Sequence, residues 1–201
     1  MNIRRYRQTA RAETAEATGR RIIKAFGDLL HSQGFDDVTL DEVARLAAVS
    51  VRTVIRRFGS KEGLLEAYVE RFEPSSAVAR TTPRGDVAAA VSHVADIHDV
   101  FGDSVVRNRA HAQRHRALKP LLHRGRDRHR ATMEQACAPW LERLAESDRR
   151  RALDALAVAT DAYIWKLLRR NMGRSREETA IILRLRVDAV LAQAASLAPG
   201  A

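Results

Sequence analysis

The sequence predicts an all-α protein: a small amino-terminal head built on a helix-turn-helix, followed by a larger carboxy-terminal helical bundle. Three observations carry that expectation. Apolar residues recur at three- and four-residue spacing along most of the 201 residues, as they do on helices with one buried face. Capping signals punctuate residues 39–60. Aromatic residues make up only 5% of the chain, and no alternating pattern of a half-buried strand is present. At 45% hydrophobic and 30% charged, the chain can bury a core and is not a disordered polymer.

The first helix is read over 13–33 from Ile22, Phe26, Leu29 and Leu30, preceded by a basic arm with Arg4, Arg5, Arg7 and Arg11. Gly34 stands where a left-handed C′ residue belongs, and Phe35 can fold back on Leu30 as in a Schellman stop. Next, Thr39 can cap, Glu42 completes a capping box, and Val38 and Val43 form a hydrophobic staple. A helix over 40–47 follows. The device repeats with Val49, Ser50 and Val54, giving a helix over 51–57. Gly59 breaks the chain, Ser60 caps, and a fourth helix runs to Phe72. Pro74, Pro83 and Gly85 mark a linker over 74–85, between a domain of residues 1–73 and one of 86–201. Beyond it, helices are expected over 86–101, 104–117, 121–146, 149–172 and 176–197. Gly102, Pro120, Asp148 and Gly173-Arg174-Ser175 are the expected breaks, and Pro139 should kink or divide its segment.

Two short capped helices joined by a tight turn make a helix-turn-helix, whose second helix enters the major groove of DNA. With Val54 and Phe58 assigned to the core, Val51, Arg52, Thr53, Ile55, Arg56 and Arg57 face outward or toward the groove. Arginine forks suit phosphates and guanine edges. Ser50 and the helix N-terminus suit phosphate. Thr39 and Lys61, at neighbouring helix starts, are candidate backbone clamps, and Arg4 and Arg5 are candidate arm contacts. The formal charge of +10 favours a polyanionic partner. A solvated basic face on a structural hairpin is the competing reading.

The run Thr39-Leu40-Asp41-Glu42-Val43-Ala44-Arg45-Leu46-Ala47-Ala48-Val49-Ser50, with Thr53, Phe58, Ser60-Lys61-Glu62 and Leu64-Leu65 after it, resembles the DNA-binding head of the TetR/AcrR repressor family over residues 20–72. Trp165-Lys166-Leu167-Leu168-Arg169-Arg170 is more weakly similar to the family's penultimate helix. The chain departs from the family pattern at Ala48 and Arg52, where glycine is usual or common. It departs again at Ile55, where tyrosine is common, and at Arg57, where histidine or an aromatic is. The resemblance implies a ligand-responsive repressor, dimeric through the last two long helices, that binds a near-palindromic operator. Leu153, Leu156, Ile164 and Leu167, with Ile181, Leu185 and Leu191, are the implied interface; the sequence alone also allows them to pack inside one subunit. A small-molecule cavity is also implied, with candidate lining residues Val94, Ile97, His98, Phe101, Met133, Cys137, Trp140 and Tyr163.

Between residues 103 and 130, nine arginines and lysines stand against two aspartates. This stretch is read as facing the DNA, as attracting an anionic ligand, or as a solvated helix face. Its four histidines lie among cations, which argues against a metal site, and no cofactor is expected. No phosphate-cradling glycine loop or nucleophile turn is present, so an enzyme is not expected. A sequence-independent DNA-coating protein and an activator of the same fold are the alternatives. No apolar signal core and no run of about 18 apolar residues is found, so the protein is expected in the cytoplasm.

Overall fold

A computed structural model describes residues 3–71 and 81–197, with side chains from residue 13 onward. Among the described residues all regular elements are helices. The chain forms two units: Met1–Glu73 together with Arg107–Leu121, and Pro74–Val106 together with Leu122–Ala201. The sequence assigned residues 107–121 to the second domain, whereas in the structure they belong with the head. Their side chains satisfy the polar groups of a turn there.

In the head, α1 (Ile3–Ser32) begins earlier than its apolar periodicity does, because nothing in residues 3–12 breaks a helix. Gly34 ends it at a φ of 87°, and Leu30 and Phe35 are both fully buried. The short helices α2 (Leu40–Leu46), α3 (Val51–Phe58) and α4 (Lys61–Arg71) follow. The capping box is complete: the Glu42 N–H donates to Thr39 Oγ1 (3.2 Å) and the Thr39 N–H to Glu42 Oε2 (3.3 Å). Ser50 Oγ accepts from the Thr53 N–H at 3.2 Å. Val38, Val43 and Val54 are buried beneath these caps. Between α2 and α3, Ala48 holds a φ of 52°, a conformation that costs a residue with a Cβ about 1–2 kcal/mol.

The α1–α2 turn is held from two sides. Lys61 Nζ donates to the carbonyls of Phe35 (2.8 Å), Asp36 (3.2 Å) and Val38 (3.0 Å), and lies 4.6 Å from the centre of the Phe35 ring. From the other side, Arg107 Nη2 donates to the carbonyls of His31 (3.0 Å) and Ser32 (2.9 Å). The Phe35 N–H donates to Asn108 Oδ1 at 3.1 Å. The Asp36 carboxylate accepts from Arg114 and lies 2.6 Å from His115 Nε2. Burial pushes the Asp36 carboxyl up. The Arg114 hydrogen bond and the nearby His111, Arg114 and His115 outweigh burial and hold it below its ordinary value.

In the second unit the expected break at Gly102 does not occur, and α5 (Val87–His111) runs through it. A Cβ at Gly102 would stand 2.4 Å from Trp165 Cζ3, so this glycine is the slot for the indole. α6 (Leu118–Leu141) takes Pro120 into its first turn, where a missing N–H is tolerated, and ends just beyond Pro139. α7 (Glu146–Ala159) carries Asp148 in its first turn. The long helix expected over 149–172 is divided at Thr160. Asp161 caps α8 (Ala162–Lys166), which passes into a π-turn over Leu167–Asn171, and α9 (Arg176–Leu197) closes the unit. The core gathers Val94, Met133, Cys137, Leu141, Leu153, Leu156, Leu183, Val187 and Leu191.

Two stability predictions follow from the head. Ala48→Gly relieves the left-handed strain and should raise stability by roughly 0.5–1 kcal/mol in denaturant unfolding; no gain would mean that the turn is not strained. Lys61→Met keeps the aliphatic stem but leaves three carbonyls without their donor. It should cost about 2 kcal/mol; unchanged stability with weakened DNA binding would make this lysine a phosphate contact instead.

Candidate nucleic-acid interface

The side of α3 opposite Val54 is open. Arg52, Ile55, Arg56 and Arg57 are exposed, with Ile55 at 47%, while Val51 and Thr53 are half-buried. Arg52 and Arg56 have no partner among the described residues. Arg57 lies against α1: a Cβ at Gly19 would come within 2.6 Å of its Nη2. Its guanidinium carbon is 5.9 Å from the Phe58 ring centre. The α3 N-terminus presents its first N–H groups and the positive end of the helix dipole. Ser50 Oγ and Thr53 Oγ1 are 2.9 Å apart and share one hydrogen bond. Whichever donates, the other hydroxyl proton stays available to an acceptor outside the protein. This face can therefore offer two unpaired guanidiniums, a hydroxyl donor and an apolar isoleucine to a groove.

Two residues expected here are engaged elsewhere. The ammonium of Lys61 is bound to three carbonyls of the α1–α2 turn, so clamping a DNA backbone would require it to exchange these partners. The Thr39 hydroxyl donates to Glu42 Oε2 at 2.9 Å, and the Gln33 amide donates to the same oxygen at 3.2 Å. The Thr39 hydroxyl bond is the main cause holding the Glu42 carboxyl below its ordinary value. Thr39 thus offers no free hydroxyl proton. The side chains of Arg4 and Arg5 lie outside the described residues.

In the second unit, Val94, Met133 and Cys137, among the candidate cavity residues, are buried in the core cluster. Burial pushes the Cys137 thiol up to about 11, so it is a protonated core group. His98 is buried and its Nε2 donates to the Thr160 carbonyl at 2.9 Å. Ile97, Phe101 and Trp140 are half-buried, and Tyr163 is turned outward. An open cleft of roughly 330 Å³ is lined by Arg84, Glu134, Gln135, Leu141, Glu142 and Arg149 among others.

The expected dimer faces are divided as well. Leu153, Leu156 and Leu191 pack inside the subunit core, and Ile164 packs against it half-buried. Leu167, Ile181 and Leu185 are exposed, the last two at 60% and 63%, and Val158 and Tyr163 are exposed with them. Among the described residues no helix is long and apolar enough to cross a membrane.

Residues 22–68 match the profile of the bacterial regulatory proteins of the tetR family. The chain is 38% identical over 50 residues to the HTH-type transcriptional regulator AlkX of Mycobacterium tuberculosis, which covers 25% of this chain and 24% of that protein. It is 31% identical over 77 residues to the uncharacterized HTH-type transcriptional regulator YvkB of Bacillus subtilis, covering 38% of this chain and 41% of that protein. The chain thus aligns with less than half the length of either relative. Salmonella enterica GusR shares the fold with a TM-score of 0.60 at 20% identity, over 88% of this chain and 96% of that one. A protein of Mesorhizobium loti assigned to the tetR-family transcriptional regulators gives a TM-score of 0.57 at 20% identity, over 89% and 97%. Residues 22–68 thus carry the DNA-binding head described for the tetR family of bacterial regulatory proteins, and the chain as a whole shares the fold of these solved structures.

Proposed function

We propose that the chain is a cytoplasmic transcription repressor that binds a near-palindromic operator as a homodimer and leaves it when a small molecule occupies the second unit. The observation that carries the reading is α3: Val54 anchors it, while Arg52 and Arg56 face outward with no partner among the described residues. Two unpaired arginines on a short capped helix are suited to guanine edges and phosphates. The names of AlkX and YvkB, both HTH-type transcriptional regulators, favour the same reading.

The dimer is favoured by the apolar side chains left outside. Val158, Tyr163, Leu167, Ile181 and Leu185, on the last helices, are each at least about half exposed, and apolar side chains left outside are candidates for burial against a second chain. A two-fold dimer presents two copies of α3 to successive major grooves, which makes the operator a near-palindrome. A small molecule can release DNA only by binding another geometry of the protein better than the DNA-bound one. A coupling of about 1–3 kcal/mol suffices for a 5–150-fold change in affinity.

Selection of bound duplexes from a random pool should return a near-palindrome. Arg52→Ala or Arg56→Ala should then weaken binding by about 1–3 kcal/mol and relax the preference at particular bases. Retained random sequences with no consensus would replace this reading with sequence-independent coating. Ile181→Glu with Leu185→Glu should yield a folded monomer in sedimentation, with operator affinity reduced at least tenfold. A double variant that remained dimeric would move the interface elsewhere.

A further inference from the structure

We infer that the segment Arg107–Leu121 is a second DNA-contacting element of the head, with Arg116 and Lys119 placed for phosphates that flank the operator. The inference rests on the DNA-binding reading above and extends it to a surface outside the helix-turn-helix. The basic stretch of residues 103–130 is divided between the two units. Residues 107–121 belong to the unit that holds the helix-turn-helix, and residues 103–106 and 122–130 belong to the other unit. Several of its cations have internal tasks. Arg107 donates to the end of α1, Arg114 pairs with Asp36, and Arg130 pairs with Asp154. Arg116 and Lys119 are exposed and have no partner among the described residues.

The nearby carboxylate does not neutralise them. Asp36 already faces Arg114, His115 and His111 from this segment, and its backbone carbonyl accepts from Lys61. The segment is fixed to the head by those contacts and by the Phe35–Asn108 bond. Its anchor, Asp36, lies three residues before the Thr39 cap of α2. The two cations are therefore carried by the same body that presents α3. A positive surface held on a DNA-reading body has the duplex phosphates as its complementary partner, and each phosphate neutralised adds about 0.9 to the salt slope of binding.

The test is the salt dependence of binding to the selected operator, measured on a duplex with long flanks and on one trimmed to the operator. Arg116→Ala with Lys119→Ala is compared with Arg143→Ala plus Arg150→Ala, which removes the same charge from exposed positions of the other unit. All three proteins should unfold at the same temperature, since these side chains have no partner among the described residues. On the long duplex the first variant should show a slope shallower by about 1–2, so that between 50 and 200 mM salt the wild type loses roughly tenfold more affinity than the variant does. On the trimmed duplex this difference should shrink, and the control variant should follow the wild type on both. Equal slopes for wild type and first variant would overturn the inference while leaving the operator reading intact. An equal fall in the control would overturn it too, by reducing the effect to net charge. A wild type that binds no duplex would overturn the operator reading, and this inference with it.

Discussion

The head depends on one constraint: the backbone groups of the partly buried α1–α2 turn must find partners within the protein. Gly34 stops α1 in a left-handed conformation, which leaves carbonyls at the end of the helix without intrahelical donors. Gly34, Phe35 and Val38 are then buried under the turn, where an unpaired polar group costs about 1–3 kcal/mol. Lys61 supplies three donors from the start of α4, and Arg107 supplies two from the end of α5. Asn108 accepts the Phe35 N–H. The turn delivers the chain to the Thr39 cap, so its position sets that of α2 and, through the Ala48 turn, that of α3. The reading face is thus oriented by residues that never need to touch DNA.

Much of this architecture was legible in the sequence because it is local. The capping box at Thr39 and Glu42, the Ser50 cap and the Gly34 stop each involve residues three or four apart, and all appear in the structure. What was misread depends on partners distant in sequence. Gly102 looked like a break because a glycine inside a helix pattern has two meanings, and only Trp165, sixty-three residues on, decides between them. Lys61 looked like an interface residue from its place at a helix start, but its acceptors lie some twenty-five residues upstream. Apolar periodicity found both buried and exposed leucines on the last helices. It did not say that Leu153, Leu156 and Leu191 turn inward while Leu167 and Leu185 turn outward, because both sets fit a helical stripe.

The same distinction governs the arginines. A formal charge of +10 says that cations are abundant and nothing about which are available. Those at positions 107, 114, 130, 169, 170 and 176 are engaged with carbonyls or carboxylates of the protein. In α3, Arg57 rests on α1 while Arg52 and Arg56 stand clear. The candidate interface is defined less by where cations occur than by where the fold leaves them without an internal acceptor. An internally paired arginine must lose one partner to gain another, and the exchange contributes little.

The outward apolar face of the second unit is itself held in place by polar contacts. Asp96, Asp99 and Asp103 recur along one side of α5 and meet Arg176, Arg169 and Arg170. Asp99 also accepts from the Trp165 indole at 2.8 Å, and Arg170 lies 4.9 Å from the centre of that ring. Trp165 and Leu168 therefore face inward, and helical geometry sends Tyr163 and Leu167 to the opposite side, where both are exposed. The π-turn over Leu167–Asn171 inserts extra backbone at this point, which places Arg169 and Arg170 on successive aspartates. Half-buried ion pairs of this kind add little net stability, because desolvation offsets much of their attraction. They do restrict geometry: a neighbouring register of α8 on α5 would leave charges unpaired and the indole outside the Gly102 slot. The ladder thus acts chiefly to fix which side chains around α8 face inward and which face outward.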